Sequence, residues 1–134
     1  MELKSDLKIL VVDDMGTMRK IIKKMLVQLG FNNIHEAQDG SEAWPMIQSH
    51  LEEGTPFEFV ISDWNMPGMT GIELLKHVRS TDEIHGLPFL MVTAEAEQSN
   101  VVTAVQSGVN NYVVKPFSAQ TLKEKINTIF ASKK

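Results

Sequence analysis

The sequence predicts a three-layer, doubly wound (βα)5 sandwich around a five-stranded parallel sheet, on three observations. Short apolar runs of strand length alternate with longer segments of helical period, so that strand and helix repeat five times. The runs are near-continuously apolar, as strands buried on both faces are. Four of them also end on a reactive polar group. Lys8 to Val12 runs into Asp13-Asp14, Phe59 to Ser62 into Asp63, Leu87 to Val92 into Thr93, and Tyr112 to Val114 into Lys115. Open parallel sheets build ligand sites outside the carboxyl ends of their strands, so Asp13, Asp14, Asp63, Thr93 and Lys115 are expected to converge on one edge.

Taken in order, the first run is followed by Met18, Ile21, Ile22, Met25, Leu26 and Leu29 at the spacing of an amphipathic helix, with Gly30 as a left-handed cap. Asn33 to Ala37 is a weaker strand. Asp39-Gly40-Ser41 opens a second helix that turns Ala43, Trp44, Ile47 and Leu51 inward. Pro45 deletes a backbone donor there, so that helix is expected to begin late or to be distorted near Ser41. Glu52 to Pro56 is a loop before the strand that ends at Asp63. Gly71 to Arg79 forms the third helix, with Ile72, Leu75 and Val78 on one face, and Ser80 to Gly86 a polar loop. A further helix spans about residues 96–107 and ends at Gly108. Ser118 caps a last helix carrying Leu122, Ile126, Ile129 and Phe130 inward. The strand order 2-1-3-4-5 is carried over from flavodoxin-like sheets of this class rather than read from the residues.

The 134 residues suit one domain, 1–134, with no output domain appended, and such a domain buries roughly two thirds of its unfolded surface. Without cysteine there are no disulfides and no thiolate metal sites. The first residues carry acids and no long apolar stretch, which excludes a signal peptide or membrane span and makes a cytoplasmic protein the expectation. A net charge of -4 argues against generic nucleic-acid binding. The basic cluster Arg19, Lys20, Lys23 and Lys24 reads as a solvated helix face. The histidines at 35, 50, 77 and 85 lack ligand spacing and read as surface or loop residues.

A single aspartate before a helix is commonly an N-cap, which is the plain reading of Asp14, and Thr93 invites the same reading. Two adjacent acids facing Asp63 are different. Like charges about 4 Å apart repel by roughly 4 kcal/mol per pair at an effective dielectric of 20, so the cluster needs compensation. Oxygen ligands, few in number and leaving room for water and phosphate, favour Mg2+, or Mn2+, over calcium or zinc. Lys115 would supply the positive charge that a transferring phosphoryl group requires, and the Thr93 hydroxyl could donate to a phosphoryl oxygen. Asp63 is the best nucleophile for an aspartyl phosphate, since it stands alone at its strand end while Asp13 and Asp14 are paired and suited to metal. Pro116 is either an ordinary strand terminator or a cis bond that fixes the lysine's direction. Trp64 and Tyr112 divide between packing and switching.

These motifs run the length of the chain. Val11-Val12-Asp13-Asp14, Thr17-Met18-Arg19, Leu29-Gly30-Phe31, Val60 to Pro67, Met91 to Ala96 and Tyr112 to Phe117 together resemble bacterial response-regulator receiver domains, most of all the single-domain chemotaxis type. The resemblance implies that Asp63 accepts phosphate from a histidine kinase. It also implies that Asp14, Asp63 and the backbone carbonyl of Asn65 bind Mg2+ directly, with Asp13 acting through water. Thr93 and Lys115 would bind phosphoryl oxygens, and Tyr112 would swing inward with Thr93. A face bearing Tyr112, Glu97 and Lys125 would then dock the partner. By the same resemblance the protein is a monomer whose partners are the kinase, the flagellar motor switch protein and a phosphatase. The chain departs from that pattern at Met15, usually aromatic, at Thr70, commonly an acid, at Pro45 with the 52–56 loop, and at Glu97-Gln98-Ser99, where the chemotaxis proteins of enteric bacteria are more basic.

Three functions compete on these residues. The first is a phosphorylation-controlled binding module, either motor-directed or a phosphate sink in a phosphorelay. The second is an aspartate-nucleophile phosphohydrolase, which usually needs Asp-x-Asp where this chain has adjacent acids. The third, a flavin or nucleotide binder, is disfavoured because Asp13 to Thr17 offers one glycine and two negative charges where phosphate would sit.

Overall fold

The structure, a computed structural model, describes residues 4–64, 66, 68–93, 108–115 and 117–131. Five parallel strands form one sheet in the order β2-β1-β3-β4-β5. They are β1 (Lys8–Val12), β2 (Asn33–Ala37), β3 (Phe59–Asp63), β4 (Phe89–Thr93) and β5 (Asn111–Val114). The helices are α1 (Gly16–Gln28), α2 (Gly40–Glu52), α3 (Gly71–Arg79) and α4 (Ala119–Ala131), with a 3-10 turn at Asp82–Ile84. The expected helix over 96–107 lies outside the described residues, as do Glu97, Asn65 and Pro116.

The period-two alternation of the strands divides the core into two layers. Leu10, Val12, Val60, Phe89 and Met91 face α2 and α3, where they meet Ala43, Ile47, Leu74, Leu75 and Val78. Ile9, Val11, Phe59, Ile61, Leu90 and Val92 face α1 and α4, against Ile22, Leu26, Leu122, Ile126 and Ile129. Each such side chain, fully buried, contributes about 1.5–3 kcal/mol relative to exposure, which fixes the central strands and with them the positions of their last residues.

Local chemistry sets the helix ends. At the close of α1 the Gly30 N–H donates to the Val27 carbonyl at 3.0 Å and the Phe31 N–H to the Leu26 carbonyl at 3.0 Å, a Schellman turn that needs the glycine's φ of 101°. Thr70 and Glu73 form a reciprocal capping box on α3. Ser118 Oγ accepts the Thr121 N–H at 3.1 Å at the start of α4.

Several expectations are corrected. α2 does not begin late: Asp39 Oδ1 accepts the Glu42 N–H at 2.9 Å and starts the helix at Gly40, and Pro45 sits inside it. The cap satisfies the first turn, so the lost donor of Pro45 falls within an already nucleated helix. Leu87 and Pro88 lie outside β4, since proline has no N–H for the ladder, although its carbonyl still accepts from Val60 at 3.0 Å. β5 is an edge strand in which only Val113 is fully buried, not a strand buried throughout. On α3, Leu74 joins Leu75 and Val78 in the core while Ile72 is only partly buried; on α1, Ile21 is exposed. His35 and His50 are not loop residues: their rings lie 5.6 Å apart in an edge contact, and both pack on Phe57. Burial, then Lys8, lowers the pKa of His35.

Gly71 joins this scaffold to the site. Its N–H donates to the Trp64 carbonyl at 3.0 Å, and a methyl group there would fall on the Asp63 carbonyl oxygen, which is backbone and cannot yield. Gly71→Ala is expected to destabilise the fold by about 1–3 kcal/mol, read as a lower urea midpoint at unchanged m-value.

Candidate functional site

The carboxyl ends of β1, β3 and β5 bring three carboxylates and one ammonium together. Asp13, Asp14 and Asp63 each offer an oxygen, all within 4.8 Å of one another. Asp13 is fully buried and Asp63 is 7% exposed, whereas Asp14 faces solvent. Lys115 Nζ lies 3.2 Å from Asp13 Oδ2 and 3.3 Å from Asp63 Oδ1. Asp13 Oδ1 also accepts the Met15 N–H at 2.9 Å, so both of its oxygens have donors. Asp63 Oδ1 accepts the Trp64 N–H at 2.9 Å as well as facing Lys115. Among the described residues, the Trp64 N–H and the Lys115 ammonium thus both meet the same Asp63 oxygen.

Asp14 is not a helix cap, because α1 begins at Gly16 with Met15 in the cap position and no side-chain cap bond. Thr93 is the last residue of β4, 6% exposed, and its carbonyl accepts the Lys115 N–H at 2.8 Å. The adjoining residues 94–107 lie outside the described residues. Tyr112 pairs with Met91 and is partly buried, with Lys125 Nζ 5.3 Å from its ring centre.

Arg19 does not belong to a solvated face, contrary to the reading of its basic cluster. Its Nη1 donates to the Asp13 carbonyl at 2.7 Å and its Nε meets Glu36 Oε1 at 3.2 Å, while Lys23 stands 3.9 Å from the other Glu36 oxygen. Arg19 fixes the peptide that carries the acid pair. In the sequence the only signal is its place one turn after Asp14-Met15.

Among the described residues the cluster formally sets three carboxylates against one ammonium, a net of two negative charges. Burial first, and then the Asp13 charge, raise the pKa of Asp63, with Lys115 and the Trp64 N–H opposing. A set of hard oxygen donors with a formal net charge of minus two fits a small divalent cation.

The sign of the pH dependence follows. In the metal-free protein Asp63 binds its proton more tightly than in the unfolded chain, so stability falls as pH rises through the Asp63 titration. In chelator, Asp63→Asn is expected to melt above wild type at neutral pH, and the gap to close as the pH drops below that titration. A gap that persists in acid would show that charge is not its cause.

The model of the response regulator receiver domain matches residues 9–127. The chain is 55% identical over 128 residues to a chemotaxis protein, CheY-3, of Vibrio cholerae, covering 96% of this chain and 95% of that protein. It is 56% identical over 124 residues to the chemotaxis protein CheY of Pseudomonas aeruginosa, covering 92% and 96%. Among solved structures, a chain of the CheX–CheY–BeF3–Mg2+ complex of Borrelia burgdorferi superposes with a TM-score of 0.83 at 26% identity, covering 92% of this chain and 89% of that one.

Proposed function

Because this chain belongs to the response-regulator receiver family, we propose that it is a phosphorylation-controlled switch in which Asp63 takes a phosphoryl group from a histidine kinase. The observation that carries the reading is the Lys115 ammonium lying between Asp13 and Asp63 at 3.2 and 3.3 Å, beside a third carboxylate.

A carboxylate oxygen of Asp63 attacks phosphorus as the bond to the donor's imidazole nitrogen, or to the oxygen of an acyl phosphate, breaks, and the leaving group departs with the electron pair. Phosphoryl transfer asks chiefly for positioning and for charge to meet the equatorial oxygens. Lys115 and the Thr93 hydroxyl meet two of them. The Trp64 N–H holds the carboxylate plane, and Asp13, with both oxygens engaged, keeps the lysine at the site rather than in solvent. Asp14, Asp63 and Asn65 would hold Mg2+ in this reading, with Asp13 in support. The ion supplies neutralisation of the crowded carboxylates and phosphoryl oxygens. The Borrelia burgdorferi complex, named as containing BeF3 and Mg2+, supports Mg2+ as the ion.

The output is a change in affinity for a partner, with no separate substrate turned over. The chemotaxis names of relatives at 55% and 56% identity support the flagellar motor switch as that partner in a cytoplasmic signalling pathway. Among the described residues no helix is long and apolar enough to cross a membrane.

Incubation with a small acyl phosphate and Mg2+ is expected to add one phosphoryl group by intact mass, and Asp63→Asn to add none. Base-labile phosphate on the Asp63→Asn variant at the wild-type level would remove Asp63 from the reading.

Thr93→Ala is expected to remain phosphorylatable while the ratio of phosphorylated to unphosphorylated affinity for the motor switch protein collapses toward one. Isothermal titration on both forms measures that ratio, and a wild-type ratio would exclude Thr93 from the coupling.

A further inference from the structure

At the far end of the sheet from the carboxylates, Arg79 closes α3 and reaches four neutral acceptors. Its Nε donates to the Gly108 carbonyl at 2.8 Å, Nη1 to the Leu87 carbonyl at 2.7 Å and the His85 carbonyl at 2.9 Å, and Nη2 to Asn110 Oδ1 at 3.0 Å. Asn110 Oδ1 also accepts the Phe89 N–H at 2.8 Å, and the Asn110 N–H donates to the Phe89 carbonyl at 3.1 Å. One planar side chain thus ties the entry of β4 to the entry of β5. Burial lowers the guanidinium's pKa, yet the group stays charged, and its bonds to carbonyls are what offset the lost water. Gly108 takes φ +93°, and a side-chain carbon there would stand 3.1 Å from Arg79 Nε, so this glycine both makes the turn and leaves room for the guanidinium.

β5 has reason to need such a clamp. It is four residues long, lies at the sheet edge and fully buries Val113 alone, so apolar burial specifies its register weakly. A slip of one residue would carry Lys115 about 3.3 Å along the strand and turn its side chain to the opposite face. The lysine would then leave both carboxylates.

We propose that Arg79, acting through Asn110, is a positioning residue for phosphoryl transfer: it sets the register of β5 and thereby holds Lys115 between Asp13 and Asp63. This rests on the reading of Lys115 as the cation that meets the phosphoryl group. A lysine in place of Arg79 keeps the charge and the helix but lacks the planar fork that reaches both strand entries at once.

The test is a double-mutant cycle. Arg79→Lys and Asn110→Ala are each made in the wild-type and the Lys115→Ala backgrounds, and phosphorylation by a small acyl phosphate in saturating Mg2+ is timed where circular dichroism shows every variant folded. Displacements of about 1 Å at a reacting group cost up to ~100-fold, so a fall of about tenfold is expected with Lys115 present, and less than about twofold without it. Mg2+ affinity, which depends on the acids, is expected to change by less than about twofold. Equal losses in the two backgrounds, or no loss with Lys115 present, would overturn the positioning role. A Lys115→Ala protein phosphorylated at the wild-type rate would overturn the reading of Lys115, and the positioning role with it. Should Arg79→Lys fail to fold, Asn110→Ala removes the shared acceptor without touching α3 and decides the question.

Discussion

Everything at the carboxyl edge depends on one ammonium shared by two buried or nearly buried carboxylates. Without Lys115 the edge would hold three negative charges within 4.8 Å, met by the backbone N–H groups of Met15 and Trp64. The sheet order explains why the residue is a lysine. β1 and β3 are neighbours, so their terminal acids meet directly, but β5 is separated from β3 by β4. Strands lie about 4.8 Å apart, so β5 stands two strand spacings from the strand of Asp63 and three from that of Asp13, a span that suits a long flexible stem better than a guanidinium anchored by its plane. The strand being crossed ends in Thr93, which places a hydroxyl-bearing residue beneath the same path.

The rest of the fold keeps that edge from relaxing. The α2 and α3 starts press on the chain after Asp63: the Gly40 N–H donates to the Met69 carbonyl at 3.2 Å, and Gly71 abuts the Asp63 carbonyl. At both points a side-chain carbon would collide with backbone, so the loop from Trp64 to Thr70 is walled by glycines. Arg19 fixes the Asp13 peptide from the other side of the sheet. The carboxylates are therefore held close against their own repulsion, and burial first, with the Asp13 charge second, is why Asp63 resists ionisation despite its lysine. A site that stores repulsion in this way binds a cation or a cationic neighbour strongly, because the ligand relieves a cost already incurred in folding.

Apolar pattern and strand-end chemistry make most of this legible in the sequence. The bounds of β1, β2, β3 and α3 follow from run length and punctuation, and the rule for parallel sheets puts the acids and Lys115 on one edge. What the sequence hides shares one physical feature. Arg19 and Arg79 look like surface residues because their main partners are backbone carbonyls, and a carbonyl has no letter in the sequence. His35 and His50 are hidden for a related reason: an aromatic ring can pack by its edge at positions that a polar reading assigns to solvent. Pro45 misleads because its cost looks prohibitive until the Asp39 cap, which nucleates the helix before it, is counted. Periodicity sees the apolar layer of a fold and is blind to the polar clamps that set its register.

The energetics of a switch at this edge constrain how it can work. Moving a two-state equilibrium from about 1:99 to 99:1 requires roughly 5.5 kcal/mol of differential interaction. One hydrogen bond to a charged group contributes about 1.5–3 kcal/mol, so a phosphoryl group on Asp63 that gained Lys115 alone would fall short, the more so because Lys115 already serves Asp13 and Asp63. At least one further contact must form only in the phosphorylated state. Thr93 is suited to it: buried at the end of the intervening strand, with its carbonyl bonded to the Lys115 N–H, it is coupled to β5 through the backbone. A shift of Thr93 toward a phosphoryl group would therefore pull on the strand that carries Tyr112, whose ring is half-buried beneath Lys125. On the proposed reading the hydroxyl would do more than add a bond, since it would couple phosphorylation at the carboxyl edge to the end of β5 that carries Tyr112.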